Sequence, residues 1–221
     1  MRIPTLSRLL FTAALLALPA TVRAQFVVYT DLASFLAATS NAGTDTFEDL
    51  SLDASTPSPL TRSAGAFGYT ASVNTTSFFG AGSAADRWLS TNTATDIVTF
   101  TGFGSTVRGV GGSFFGTNIA GSFSVFSTLI VTASNAGGVT SRTLLNTPLG
   151  GFLGFVSTSD IFSLTIESVQ PDGGGFVWPT VNDFVLAEGP AQNVVPEPRE
   201  MLLLATGLFG LIVLRLRRRR A

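Results

Sequence analysis

Apolar and polar positions follow four different patterns along this chain, and each predicts a different kind of element. Leu9 to Leu18 (LLFTAALLAL) is an unbroken apolar run of ten residues, behind Arg2 and Arg8 and ahead of the breaker Pro19. Asp31 to Thr39 places Leu32, Phe35 and Leu36 at i, i+3 and i+4, with Thr30 or Asp31 as N-cap. That spacing predicts one or two turns of amphipathic helix. Elsewhere in the middle of the chain the pattern is that of strands: Phe26–Tyr29, then 46–50, 66–73, 96–103, 107–115, 121–133, 139–145, 152–156, 162–169 and 181–186. Clusters of Gly, Asn, Ser and Asp at 135–138, 158–160 and 171–175 separate several of them. About ten short strands with turn signals between them predict an all-β fold, a two-sheet antiparallel β-sandwich of jelly-roll, lectin-like form with one short N-terminal helix.

The fourth pattern is Met201 to Leu214 (MLLLATGLFGLIVL), uncharged over 14 residues and followed by Arg215, Arg217, Arg218, Arg219 and Arg220. As a helix it extends about 21 Å, against a hydrocarbon core of about 30 Å. The flanks decide the reading. Each arginine costs roughly 2.5–3.5 kcal/mol at the bilayer centre, so the five together form a stop-transfer signal. Arg215 can snorkel and lengthen the effective span. A single C-terminal transmembrane helix is therefore expected, with the tail in the cytoplasm and the body outside.

Charge placement sharpens this division. All 13 basic residues are Arg, with no His and no Cys, and only Arg62, Arg87, Arg108 and Arg142 fall between residues 25 and 187. Twelve carboxylates from Asp31 to Glu188 stand against those four, a net charge of −8 that the whole-chain total of −1 conceals. An acidic body with scattered cations is a poor partner for nucleic acid. Without Cys there is no disulfide framework, so the body must hold itself together by core burial.

Four segments follow. Residues 1–24 read as a signal peptide, with Val22-Arg23-Ala24 giving signal peptidase a cleavage site between Ala24 and Gln25. No Arg-Arg pair precedes the apolar run, which favours the general secretory route. Residues 25–187 form the exported domain, and 188–198 are a proline-punctuated linker. Residues 199–221 are the anchor helix and arginine tail.

Pro196-Glu197-Pro198, the apolar segment and the terminal arginine cluster occur in that order, and together they resemble the PEP-CTERM sorting signal. The resemblance covers about 26 residues, and it implies processing by an exosortase-type membrane transpeptidase in a Gram-negative bacterium. It further implies an inner-membrane-anchored precursor that reaches the cell surface or extracellular matrix, in organisms that make extracellular polysaccharide and biofilm. The body has looser likenesses to one common among such proteins: Phe47-Glu48-Asp49 after the helix, Gly111-Gly112-Ser113-Phe114-Phe115, Gly151 to Phe155, and Asn182-Asp183-Phe184. These imply a lectin-like or carbohydrate-binding-like sandwich.

The side-chain inventory excludes much chemistry. Without His or Cys there is no Ser-His-Asp or Cys-His triad and no ordinary zinc, haem or iron–sulfur site. Without Lys there is no Schiff base. Carboxylate-pair hydrolysis remains, with Glu48 or Asp49 against Glu167 or Asp183. The expected role is nevertheless non-enzymatic, with no catalytic residue and no cofactor beyond a structural calcium ion held by Glu48, Asp49 and Asp183, oxygen ligands of the kind calcium takes. Turn caps and solvated acids are the plainer use of those residues. Trp178, Trp88 and Tyr69 are the candidate platform for stacking sugar rings, set against aromatic core filling. The functions open at this level are polysaccharide binding, an adhesive biofilm component without specific ligand, and a glycan hydrolase.

Overall fold

The computed structural model describes residues 26–75 and 77–189. The chain runs β1 (Phe26–Tyr29), α1 (Leu32–Ala37), β2 (Ser40–Asp45), β3 (Ser55–Pro57), β4 (Leu60–Ala64), β5 (Phe67–Val73), β6 (Ser77–Ser83), β7 (Asp86–Thr91) and β8 (Val98–Thr101). It continues with β9 (Val107–Thr117), β10 (Phe123–Ser124), β11 (Thr128–Asn135), β12 (Gly138–Leu145), β13 (Phe152–Ser157), β14 (Ile161–Val169) and β15 (Trp178–Glu188). One sheet has the order β1-β13-β9-β15-β7-β6-β3, with β10 beside β9 and β2 beside β15; the other is β12-β11-β14-β8-β5-β4.

The winding can be read from the antiparallel pairs. β11 pairs with β12, β9 with β13, β8 with β14 and β7 with β15. The partners mirror each other about the β11–β12 turn, as in one long hairpin. That hairpin is rolled up so that β9 also meets β15 and β11 also meets β14. A double ribbon rolled in this way is a jelly roll, and its two sheets close over a shared core. Leu89, Val110, Phe114, Phe155 and Phe184 from the first sheet pack there with Phe100, Leu129, Val131, Leu164 and Ile166 from the second.

The first sheet is buried on its outer face as well. Asp31 caps α1, accepting a hydrogen bond from the Ser34 N–H at 2.8 Å. The helix sets Phe35 among Val156, Val185, Ala187, Tyr29 and Phe152. Leu32 and Leu36, expected on the buried stripe with Phe35, are exposed. The reason is length, since a six-residue helix lying on a flat sheet presents only one side chain to it. Glycine makes the seat for that ring. A Cβ at Gly154 would lie 2.5 Å from a Phe35 ring carbon.

Several boundaries differ from the expected strands. Residues 46–50 are turn, and the strand before them is β2, whose sequence SNAGTD has no apolar alternation. The expected strand over 121–133 divides into β10 and β11. β3, β4, β6 and β7 had no strand signal because Ser, Thr and Gly fill many of their positions. The signal peptide and its Ala24–Gln25 junction, the Pro196-Glu197-Pro198 motif, the anchor helix and the arginine cluster lie outside the described residues. Among the described residues no helix is long and apolar enough to cross a membrane.

Candidate functional site

The outer face of the first sheet carries two clefts, separated by a plug. The plug is Trp88, Phe115 and Ala81, with Phe79 and Phe123 against it. Trp88 is only 6% exposed and meets Phe115 edge-on with ring centroids 4.9 Å apart.

The first cleft, of about 250 Å³, lies beyond the plug and is lined by Phe79, Ser90, Thr91, Asn92, Thr117, Asn118, Ile119, Gly121 and Trp178. Alternation explains the lining. Val181 points into the core, so Thr180 and Trp178 of β15 point outward, as do Thr117 of β9 and Ser90 of β7. Their hydroxyls form a closed buried ring: Ser90 to Thr117 at 3.1 Å, Thr117 to Thr180 at 2.9 Å and Thr180 to Ser90 at 2.8 Å. Each hydroxyl both donates and accepts, so the ring can reorient its protons to suit a neighbour. Asn118 uses its Oδ1 on the N–H groups of Ala120 and Ser122, which leaves its NH₂ available as a donor. Trp178 is half-buried and stands edge-on to exposed Phe176, with centroids 6.4 Å apart. Among the described residues no ionisable side chain lines this cleft. An aromatic face beside hydroxyls and carboxamides suits an uncharged polyol.

Of the three aromatics singled out from the sequence, only Trp178 is placed to stack on a ligand. Trp88 belongs to the plug. Tyr69 is 2% exposed, packs on Phe100 and Phe184, and donates its hydroxyl to Asp45 Oδ2 at 2.6 Å. Burial, followed by that bond to a carboxylate, pushes the Tyr69 pKa far above the usual phenol value. Both residues fill core because their strands are covered on the side they face. Ser90 and Thr117, which line the cleft, and Thr180, which is bonded to them from behind the lining, were not legible in the sequence. Nothing in it says that strands 27 to 90 residues apart align their hydroxyls.

The expected calcium trio does not assemble. Asp49 is held by the Arg62 guanidinium at 2.6 and 3.2 Å, and that bonding lowers its pKa despite some burial. Glu48 accepts the Arg87 N–H at 3.2 Å, while Arg87 Nη1 donates to the Glu48 and Leu50 carbonyls. Among the described residues no group of three or more carboxylates is arranged to hold a metal ion. The physical reason is Arg62, which neutralises one of the three and draws it toward the second sheet. Glu167 lies on β14 of that second sheet, opposite Ile130. Asp183 stays with Glu48 and Asp86, whose charges add to burial in raising its pKa.

No protein-family model matches the chain, and no curated protein matches it. A solved structure described as "Binding sub-site dissection of a family 6 carbohydrate-binding module by X-ray crystallography and isothermal titration calorimetry" aligns over 59% of this chain and 94% of its own, at 16% identity and a TM-score of 0.31. A match at that level carries no weight for fold or ligand. The class of protein is set instead by the strand pairing described above: an antiparallel β-sandwich with jelly-roll winding and an uncharged aromatic cleft on its doubly covered sheet.

Proposed function

We propose that this is an exported, non-enzymatic surface or matrix protein that binds a neutral extracellular polysaccharide in the Trp178 cleft. The single observation that supports this most is a half-buried indole beside the Ser90 and Thr117 hydroxyls in a cleft that no ionisable side chain among the described residues lines. At about 250 Å³ the space is smaller than the roughly 300 Å³ at which pockets for drug-sized ligands begin, which suits one ring-sized unit of a longer chain. In a glycan array or polysaccharide pull-down the protein binds a neutral glycan, and Trp178→Ala reduces the affinity about tenfold or more, the usual cost of removing a central aromatic anchor. A clean negative, with Trp178→Ala indistinguishable from wild type, leaves a purely adhesive matrix role as the better reading.

Address is the second half of the proposal. It rests on the PEP-CTERM-like order of Pro196-Glu197-Pro198, apolar segment and arginine cluster. Signal peptidase removes residues 1–24, the arginine tail holds the precursor in the inner membrane, and an exosortase-type transpeptidase processes it near Pro198. Intact-mass measurement of protein recovered from the cell surface and medium is expected to show a chain beginning at Gln25 and lacking the arginine tail. A mature form that retains Arg215 to Arg220 would remove the sorting half and leave the glycan half standing.

A further inference from the structure

The second cleft on the outer face, about 420 Å³, is lined by Leu32 of α1, Thr44 and Thr46, Ser113 of β9, Gly150, Phe152 of β13, and Asp183 and Val185 of β15. It lies on the α1 side of the Trp88–Phe115 plug. Its chemistry differs from that of the Trp178 cleft in two independent ways.

The first is an orphaned hydroxyl. Ser113 is 4% exposed, lines the cleft, and its Oγ has no hydrogen-bond partner. Buried polar atoms in folded proteins are overwhelmingly paired, and leaving one unpaired is costly. Its neighbour across the ladder is Asn182, which donates from Nδ2 to Asp86 at 2.8 Å and accepts at Oδ1 from the Asp183 N–H at 2.9 Å. Neither bond involves Ser113, whose Oγ stays unpaired.

The second is negative charge at the solvent-exposed Asp183, which has no ion-pair partner among the described residues. Asp183 shares its end of the cleft with the fields of Asp86 and Glu48, and burial followed by those two charges raises its pKa. Among the described residues none of the three is in an ion pair. The guanidinium of Arg87, nearest to them in sequence, is tied to two backbone carbonyls. Asp183 is also held in place by backbone geometry: at φ +48° it occupies the bulge where β15 changes neighbour from β7 to β2. Opposite the carboxylate, Leu32, Phe152 and Val185 form an apolar wall, and Thr44 and Thr46 add hydroxyls.

We infer that this cleft binds an amino sugar in its cationic form, with the ligand ammonium on Asp183, a ring hydroxyl on Ser113 and the C–H face of the ring against Phe152 and Val185. An anionic ligand would meet the Asp183 carboxylate and the fields of Asp86 and Glu48. A neutral one would leave Asp183 without a counter-charge. A bare divalent cation lacks the grouped carboxylates it requires. The inference does not rest on the Trp178 cleft, since the two sites share no lining residue.

Isothermal titration of the full chain tests it with three probes: a glucosamine oligomer, its fully N-acetylated counterpart and calcium chloride. The glucosamine oligomer binds, and N-acetylation, which removes the charge, weakens binding about tenfold or more, as expected for loss of one charge-assisted hydrogen bond. Asp183→Asn weakens binding by a similar factor. It leaves the fold intact, because asparagine tolerates a left-handed backbone. Ser113→Ala weakens binding severalfold and does not destabilise the protein, since it deletes an unpaired group. Trp178→Ala leaves binding of the glucosamine oligomer unchanged, which separates this site from the first. Equal binding of the acetylated and deacetylated oligomers, or an Asp183→Asn variant that binds as wild type does, overturns the inference. Saturable calcium binding that Asp183→Asn abolishes overturns it too, in favour of a metal.

Discussion

Replacing Arg62 with alanine is expected to lower the unfolding free energy by about 3–5 kcal/mol, the cost of stranding a buried charge. Arg62 stands on β4 in one sheet and reaches Asp45 at the end of β2 in the other, through Nε at 2.6 Å and Nη2 at 2.7 Å. The two side chains are 10% and 5% exposed, so the pair sits largely out of water. Asp45 also accepts from the Tyr69 hydroxyl and the Phe47 N–H, and Arg62 lies over the Phe47 ring at 5.0 Å. Burial alone would lower the Arg62 pKa, but its bonds to Asp45 and Asp49 outweigh it and raise the value. Truncation leaves Asp45 with two neutral donors and no counter-charge. Urea denaturation of the full chain measures the loss, and a cycle with Asp45→Asn should return a coupling of about 2 kcal/mol or more, high in the range for residues in contact. A loss under about 1 kcal/mol, the level of an exposed pair, would mean that water replaces the guanidinium.

The same variant is expected to change acid sensitivity. Arg62 holds the Asp49 carboxyl below its unfolded value. A depressed folded pKa contributes stability above the unfolded value of about 3.9, and that contribution is lost as pH falls through the folded value. Arg62→Ala removes this contribution, so the variant's stability falls less steeply below about pH 4 than that of wild type.

Phe184→Ala is expected to cost about 3–5 kcal/mol, the range for deleting a fully buried aromatic. Phe184 stacks on Phe100 across the sandwich at 4.3 Å between centroids and 19° between planes. Tyr69 at 5.0 Å and Phe103 at 6.4 Å complete the group. The ring thus joins both sheets. Phe162→Ala on the exposed side of β14 is the control, expected to change stability by no more than about 0.5 kcal/mol. A Phe184→Ala loss as small as the control's would show the core closing around the missing ring.

Phe184 also shows where alternation misleads. Val181 and Phe184 both face the core although three residues apart, an odd spacing that a regular strand would send to opposite faces. The ladder shows how: Asn182 faces Ser113 and Val185 faces Gly111, three steps on β15 against two on β9. The extra residue is a β-bulge with Asp183 at positive φ. It restores Phe184 to the core and places the Asp183 carboxylate at the second cleft.

The all-β class, the short helix with a cap at Thr30 or Asp31, most of the long strands and the excluded chemistries were legible in the local sequence; the fold chose Asp31 as the cap. Each of the legible features depends on local periodicity, capping or residue type, which a chain displays without folding. Which aromatic lines a cleft was set by tertiary contacts. Trp88 follows Asp86-Arg87 inside a strand and Trp178 follows a glycine-rich turn; the first became plug because Phe115 and Phe123 pack on it, and the second borders the cleft at the start of β15. The breakup of the Glu48, Asp49 and Asp183 trio depended likewise on Arg62, which reaches Asp45 at the end of β2 and Asp49 just beyond it from the opposite sheet. Contacts of that kind are long-range, and no local pattern encodes them.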